Sequence, residues 1–250
     1  MLNVAAYLER LGHTGPTPPT LETLRALHLA HLYTVPFENL DIGLHRTIAC
    51  DASAAVNKVV NLKRGGFCYE LNSAFSALLQ ALGFKVTMLS ARVARRDGSS
   101  SPEFDHLTLR VDLKEPWLAD VGFGESFLEP LLLQPEIVQE QHGRQFRLMP
   151  EGTSIRMERA EPDGSWLRQY SFTEIPRRLD EFGEMCRFHQ TSPDSHFTQN
   201  RICTRATPDG RITLSGRKLI VTKNGVRTEN DLGTEENWLA ALKEHFGVVL

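Results

Sequence analysis

The hydrophobic pattern changes its period at Gly83, and this change constrains the fold more than any other feature of the sequence. From Leu71 to Leu82 the apolar residues recur at helical spacing, and Gly83 follows as a helix-ending residue. Beyond Gly83, to about Tyr170, short runs alternate apolar and polar residues between turn signals such as Asp-Gly and Pro-Asp-Gly. The sequence therefore predicts a helical first region followed by an antiparallel sheet or small barrel.

Local signals place several further elements. A helix is predicted from Leu21, after a Thr-Pro-Pro-Thr entry, and Pro36 ends it because the residue before a proline avoids the helical conformation. A loop carrying Phe37, Glu38 and Asn39 is expected next. Near the carboxyl end we predict strands at 212–214 and 218–223, a hairpin turn at Asn224-Gly225 and a closing helix over 235–246.

Composition excludes several classes of protein. With 250 residues, 41% hydrophobic and 24% charged, the chain has the makeup of a folded globular protein. Its net charge of -3 argues against nucleic-acid binding. No apolar run approaches the ~20 residues needed to cross a bilayer, and no basic and apolar leader opens the sequence. We therefore expect no membrane association and a cytoplasmic location.

Metal and disulfide chemistry have little support in the sequence. The four cysteines are too few for a disulfide scaffold and form no C-x-x-C pair. His28 and His31 have a spacing at which both rings could face a metal, but they lack an evident acidic partner, which favours a surface or packing role. We expect no metal site.

Cys68 is the strongest candidate for a nucleophile. The helical pattern, counted backwards, places it in the first turn of a helix, where unpaired backbone N–H groups and the helix dipole favour a thiolate. Gly65 and Gly66 remove side chains beside it, so a substrate could approach the sulfur. The alternative is an ordinary helix start in which the glycines serve only the turn.

A thiolate nucleophile needs a histidine and an orienting group, and His106 and Asp120 are the candidates. His106 lies on the polar side of its predicted strand, and Asp120 is a carboxylate in an otherwise apolar run. If the intervening hairpin turned at Glu115, Arg110 would face Asp120 and His106 would lie ~13 Å away along the sheet. The pattern alone therefore does not bring the two side chains together.

Four motifs resemble the arylamine N-acetyltransferase family. They are Arg-Gly-Gly-Phe-Cys-Tyr-Glu-Leu-Asn, Pro-Phe-Glu-Asn-Leu, Asp-His-Leu and Ala-Asp-Val-Gly-Phe-Gly, in the family's order and spacing. The resemblance covers roughly residues 1–200. It implies an α+β fold with a cysteine-protease-like Cys-His-Asp core, in three regions: a helical bundle (1–83), an antiparallel β-barrel (84–185) and an α/β lid (186–250) shorter than usual.

The resemblance also implies an activity. Cys68, His106 and Asp120 would form the triad of a xenobiotic-metabolising acetyltransferase, and an irregular strand register would bring the last two together. Cys68 would take acetyl from acetyl-CoA as a thioester, without a metal. An arylamine, hydrazine or N-hydroxyarylamine would then accept the acetyl group in a ping-pong reaction.

Further roles are implied by matching positions. Cofactor contacts would come from Gly122, Phe123, Gly124, Pro102, Glu103 and Phe197. Acceptor contacts would come from Phe37, Phe123, Phe197 and Asp105. Arg64 and Glu38 match structural positions that we expect to pair.

A different reaction is compatible with the same three residues. A hydrolase or transglutaminase-like enzyme also uses Cys, His and Asp, because this constellation serves amide chemistry too. The oligomeric state and the physiological acceptor are not specified by the sequence. The stretch from Arg187 to Glu229 carries eight Lys or Arg against three Asp or Glu, which would suit the phosphates of CoA.

Overall fold

The computed structural model describes residues 2–250 and has the predicted mixed α+β architecture. Its helices are α1 Val4–Leu11, α2 Leu21–Thr34, α3 Leu40–Gly43, α4 Ala52–Val56, α5 Cys68–Ala81, α6 Gly183–Thr191, α7 His196–Gln199 and α8 Glu235–Phe246. A π-helical turn, Asn57–Asn61, follows α4, and a 3-10 turn, Leu179–Phe182, precedes α6.

The strands form two antiparallel sheets. The smaller sheet contains β1 Phe37–Glu38, β10 Ile202–Thr207, β11 Gly210–Ser215, β12 Lys218–Lys223 and β13 Val226–Asp231. The larger contains β2 Lys85–Val93, β3 His106–Asp112, β4 Pro116–Ala119, β5 Leu131–Leu132, β6 Val138–Gln141, β7 Arg144–Glu151, β8 Ser154–Ala160 and β9 Trp166–Arg177.

The two long helices of the first region begin and end where the sequence predicts. The Thr20 hydroxyl accepts a hydrogen bond from the N–H of Thr23 and caps α2, which stops at Thr34 before Pro36. At the start of α5, Glu70 accepts from the N–H of Phe67. Gly83, just beyond the end of α5, has a φ of +89°, a backbone conformation that favours glycine. Cys68 is thereby fixed as the first residue of α5.

The segment expected to be a loop after α2 is instead a short strand. In β1, Phe37 pairs with Thr204 and Glu38 with Cys203, while Phe37 also bridges to Gly66. Two residues are too few to show a strand period, and the pairing joins segments more than 150 positions apart, so local sequence carried no signal for it. The strand links the helical region to the smaller sheet.

The eight-stranded sheet curls into a nearly closed barrel, in the order β5-β4-β3-β2-β9-β8-β7-β6. A side chain bridges its two edge strands: the Gln139 amide of β6 accepts from the N–H of Leu132 at 2.7 Å and donates to its carbonyl at 3.0 Å. The amide therefore occupies both backbone groups of a residue in β5. It completes the hydrogen bonding that an open sheet edge would leave unmade.

The carboxyl-terminal elements match their prediction closely. Strand β12 and helix α8 have the predicted limits, and Asn224 and Gly225 turn the chain with φ values of +50° and +79°. Helix α8 packs on the smaller sheet through buried Trp238, over which the Arg201 guanidinium lies at 3.7 Å. Both the hairpin and the helix are specified by nearby residues, which explains their accurate prediction.

The three predicted regional limits stay a prediction. The predicted boundary between residues 185 and 186 falls inside α6, Gly183–Thr191. Within residues 2–250, no helix is both long enough and apolar enough to cross a membrane.

We predict that Gly65→Ala destabilises the protein by about 3 kcal/mol or more, because an added Cβ would lie 1.8 Å from the carbonyl oxygen of Pro36. Urea unfolding measures the change. Gly43→Ala is the matched control, since a Cβ there meets nothing within 4 Å. Equal stability of the two variants would contradict the close approach of the two segments.

Candidate active site

The sulfur of Cys68 lies beside the backbone that leads into His106. Cys68 is only 4% exposed, and its Sγ is 4.0 Å from the carbonyl oxygen of Asp105, the residue before His106. The start of α5 is therefore packed against the start of β3. This contact places a nucleophile candidate and a base candidate at one buried point.

His106 and Asp120 are directly paired. The Nε2 atom of His106 is 2.6 Å from a carboxylate oxygen of Asp120, and both side chains are buried. Because Nε2 is engaged by the carboxylate, Nδ1 is the ring nitrogen left to face another group.

The hairpin between these residues turns one position earlier than our estimate. Arg110 pairs with Leu118, which centres the turn on Lys114 instead of Glu115. Extending that register by one residue brings Asp120 opposite Thr108, which is two residues from His106. Asp120 and His106 are then diagonal neighbours ~7 Å apart, a separation that their side chains can span. The pairing of β3 with β4 runs without a shift, so the irregular register that we expected is wrong.

Asn72, which the sequence analysis did not single out, holds the Asp120 loop. Its Nδ2 donates to the Asp120 carboxylate at 2.9 Å and to the Leu107 carbonyl at 2.6 Å, and its Oδ1 accepts from the N–H of Val121 at 2.9 Å. The same Asp120 oxygen accepts from the N–H of Gly122 at 3.0 Å. A signal was available, because Asn72 lies one helical turn after Cys68 and on the same side of α5.

His28 is a second residue with an unrecognised role. Its Nε2 accepts from the backbone N–H of Asp120 at 3.1 Å, so its Nδ1 carries the proton and donates to the Leu128 carbonyl at 2.8 Å. Burial lowers the pKa of His28 to about 4, which keeps the ring neutral. His31 is buried too, so the expected surface role is wrong and packing is correct.

Burial and hydrogen bonding act in opposite directions on the candidate triad. Burial alone would raise the pKa of Asp120, but the pairing with His106 and the bonds from Asn72 and Gly122 hold that pKa below its ordinary value. Burial raises the pKa of the Cys68 thiol well above its ordinary value, and the Leu107 N–H offsets only part of this. Ionisation of Cys68 therefore requires a proton acceptor close by.

The loop after Asp120 connects this point to a cavity of about 400 Å³. The ring of Phe123 packs edge-on against the His106 ring, with centroids 5.2 Å apart, and also lines the cavity. Phe37, Gly124 and Phe197 line it as well. The three predicted aromatic contacts thus line one cavity, and one of them, Phe123, also packs on His106.

The packing around Gly122 has no space for a larger residue at this position. A Cβ at this position would lie 2.7 Å from Nδ2 of Asn72 and 2.8 Å from Cα of Cys68. The loop therefore packs directly on the backbone that carries the sulfur.

Four predicted contact residues do not line that cavity: Gly122, and also Pro102, Glu103 and Asp105. Pro102 is exposed, and the carboxylate of Glu103 is paired with the guanidinium of Arg177. The carboxylate of Asp105 is 3.2 Å from Nε2 of His189 on α6. The cofactor role of Pro102 and Glu103 and the acceptor role of Asp105 stay predictions, and the cavity gives them no support.

Arg64 and Glu38 pair as expected, within a larger buried cluster. Their side chains approach to 2.7 Å. Lys58, which the sequence analysis overlooked, lies 2.7 Å from Asp41 and 2.8 Å from Glu70. Two cations and three carboxylates therefore share the space beneath the start of α5.

We predict that His28→Ala lowers the free energy of unfolding at pH 7 by about 2 to 4 kcal/mol, because the buried N–H of Asp120 and carbonyl of Leu128 lose their partners. Urea titration measures the loss. His13→Ala, at a partly exposed histidine far along the chain from Asp120, is the control.

The stability lost in His28→Ala should depend on pH. His28 is neutral in the folded protein down to about pH 4 but takes a proton in the unfolded chain below about 6.5. Its stabilising contribution is therefore present at pH 7 and falls as the pH drops towards 4. The gap between wild type and His28→Ala should narrow over that range, and a constant gap would contradict a buried neutral ring.

Comparison with known proteins identifies the family. A family model described as N-acetyltransferase matches residues 20–250. The arylamine N-acetyltransferase / N-hydroxyarylamine O-acetyltransferase of Salmonella typhimurium is 39% identical over 186 residues, covering 72% of this chain and 65% of that enzyme, so the alignment spans just under two thirds of its length. The arylamine N-acetyltransferase of Mycolicibacterium smegmatis is 35% identical, covering 100% of this chain and 93% of that one.

Solved structures agree with the sequence comparison. The Mycobacterium marinum arylamine N-acetyltransferase in complex with CoA superposes with a TM-score of 0.91 at 30% identity, covering 98% of this chain and 93% of that one. The match extends over the helical region, the barrel and the smaller sheet together. On these grounds the chain belongs to the arylamine N-acetyltransferase family.

Proposed function

We propose that this enzyme transfers acetyl from acetyl-CoA to arylamines, hydrazines or N-hydroxyarylamines through a thioester on Cys68. The observation that carries the proposal is the buried His106–Asp120 pair beside the amino-terminal cysteine of α5. Membership of the arylamine N-acetyltransferase family supports the reaction class.

The first step moves a proton within the site. Because burial raises the pKa of the Cys68 thiol, a free thiolate is costly, and the proton passes to His106 so that a thiolate and an imidazolium form together. The carboxylate of Asp120, 2.6 Å from Nε2, stabilises the positive ring. Nδ1 is the nitrogen that exchanges the proton.

Acetyl transfer then proceeds in two halves. The thiolate of Cys68 attacks the thioester carbonyl of acetyl-CoA, the bond from carbon to the CoA sulfur breaks, and His106 returns its proton to the departing CoA thiolate. In the second half the acceptor nitrogen or oxygen attacks the acetyl-Cys68 carbonyl. His106 removes the acceptor's proton and gives it to the released Cys68 sulfur.

The aromatic cavity supports the proposed binding of both substrates. Phe37, Phe123 and Phe197 present rings to a space that adjoins His106, which suits an aromatic amine and the pantetheine arm in turn. Arg211 also lines the cavity and offers a cation to a phosphate. We assign Phe123 and Gly124, which line this space, to its CoA side, together with the adjoining Gly122 of the same loop. A cytoplasmic location stays a prediction.

We predict that Cys68→Ala abolishes acetyl transfer from acetyl-CoA to 4-anisidine while leaving the circular dichroism spectrum unchanged. The turnover assay compares it with Cys203→Ala, at a buried cysteine of β10, which should keep most of the activity. Appreciable transfer by Cys68→Ala would remove this residue as the nucleophile.

We predict that Asp120→Asn shifts the pH profile of Cys68 alkylation to higher pH, because an amide cannot stabilise the imidazolium that accompanies the thiolate. The rate at neutral pH should fall by roughly ten-fold for each unit by which the thiol pKa rises. Iodoacetamide labelling with peptide mapping gives the profile. Asp112→Asn, a partly exposed aspartate of β3, is the control, and an unchanged profile for Asp120→Asn would restrict that residue to a structural role.

A further inference from the structure

The turn that leads into His106 contains a strained residue. Among residues 2–250, Phe104 is the only hydrophobic residue whose φ lies in the left-handed region, at +67°. The other non-glycine residues with positive φ are polar: His45, Lys63, Glu136, His142 and Asn224. This conformation is costly for a bulky side chain and persists only where surrounding contacts hold it, which makes such a residue a pointer to function.

Contacts from four parts of the fold hold Phe104 in place. Its N–H donates to the Ser90 hydroxyl of β2 at 2.7 Å. Its ring packs edge-on against Phe182, with centroids 5.2 Å apart, and the guanidinium of Arg177 in β9 lies 5.0 Å from the same ring. Its carbonyl accepts a hydrogen bond from the Tyr69 hydroxyl of α5 at 2.8 Å. The turn is therefore fixed to α5, β2, β9 and the 3-10 turn that ends at Phe182.

The Tyr69 hydroxyl connects the neighbours of the two proposed reacting groups. Tyr69 follows Cys68 on α5 and is 1% exposed. Its hydroxyl also lies 3.1 Å from the carbonyl oxygen of Asp105, the residue before His106. That same carbonyl oxygen is 4.0 Å from Sγ of Cys68. One side chain thus joins the first turn of α5 to the two peptide groups that lead into β3.

We propose that Tyr69 is a positioning residue, whose hydroxyl holds the strained turn at Phe104 and thereby sets the distance between Cys68 and His106. The inference rests on the proposed function, in which Cys68 passes its proton to His106. Without the hydroxyl, the carbonyls of Phe104 and Asp105 lose their bond to α5, and the strain at Phe104 favours relaxation of the turn. His106 then begins β3 at a changed distance from the sulfur, and proton transfer depends on that distance.

The pH profile of Cys68 alkylation tests this role, because Tyr69→Phe removes a hydroxyl and changes no charge beside the sulfur. The ionisable side chains of the site keep their partners, His106 with Asp120 and Asp105 with His189. We expect the profile to move to higher pH and the rate at pH 7 to fall by roughly ten-fold, the effect of one unit in the thiol pKa. Iodoacetamide labelling of the folded full-length protein, followed on peptide 65–85, measures the rate.

Tyr7→Phe is the matched control. Tyr7 is also buried in the helical region, but its hydroxyl lies 3.2 Å from Nε2 of His31, away from the turn at Phe104. Each variant loses one buried hydroxyl contact, so urea unfolding should show a loss of stability in both. The alkylation profile should move in Tyr69→Phe and stay that of the wild type in Tyr7→Phe.

Ser90→Ala is an independent variant that leaves α5 unchanged. It removes the acceptor of the Phe104 N–H on the opposite side of the turn, and we expect a shift of the alkylation profile in the same direction. A wild-type profile in folded Tyr69→Phe would overturn the proposal. If Tyr69→Phe does not fold, a wild-type profile in folded Ser90→Ala would overturn it instead.

This measurement separates the positioning role from the acetyl-transfer reaction. Alkylation requires no acetyl-CoA, so the shift in Tyr69→Phe is expected even if the wild-type enzyme forms no acetyl-Cys68, a result that would contradict the proposed acetyl transfer alone. Acetylation of wild-type Cys68, together with an unchanged alkylation profile in Tyr69→Phe, would support the acetyl transfer and overturn the positioning role.

Discussion

The buried charge cluster beneath α5 is the interaction on which the rest of the structure depends. Lys58 and Arg64 are surrounded by three carboxylates that come from β1, α3 and α5 itself. A buried charge is tolerated only when it is paired, and removing one partner from such a pair costs roughly 3 to 5 kcal/mol. The cluster therefore fixes the turn through Gly65 and Gly66 that delivers Cys68 to the first position of its helix.

A second set of contacts positions the loop that carries Asp120 relative to the helices of the first region. Asn72 on α5 and His28 on α2 both bond Asp120 or its neighbours, so two helices of the first region orient a loop of the barrel. Both hydrogen bonds are buried. Loss of a buried hydrogen bond destabilises the fold, and a buried bond that is formed restricts the motion of its partners. The position of His106 relative to Cys68 thus follows from packing between the regions as much as from the barrel itself.

Features specified by neighbouring residues were predictable from the sequence, and features specified by distant ones were not. The position of Cys68 followed from the helical period, and the hairpin at Asn224 followed from its turn residues. The pairing of Phe37 with Thr204 and the bond from His28 to Asp120 join segments over 90 positions apart, for which no local pattern exists. The distance from His106 to Asp120 was overestimated, because the hairpin turn was placed one residue too late. The strand register, and with it which residues face each other, depends on the position of that turn.

The central claim is that Cys68 carries the acetyl group between donor and acceptor. Intact-protein mass spectrometry after mixing the enzyme with acetyl-CoA, without an acceptor, tests it most directly. The account predicts a single added acetyl group, located on the peptide 65–85 and discharged when 4-anisidine is added. An enzyme that stays unmodified while Cys68 is still rapidly alkylated would contradict the account and favour a hydrolase or another acyl donor.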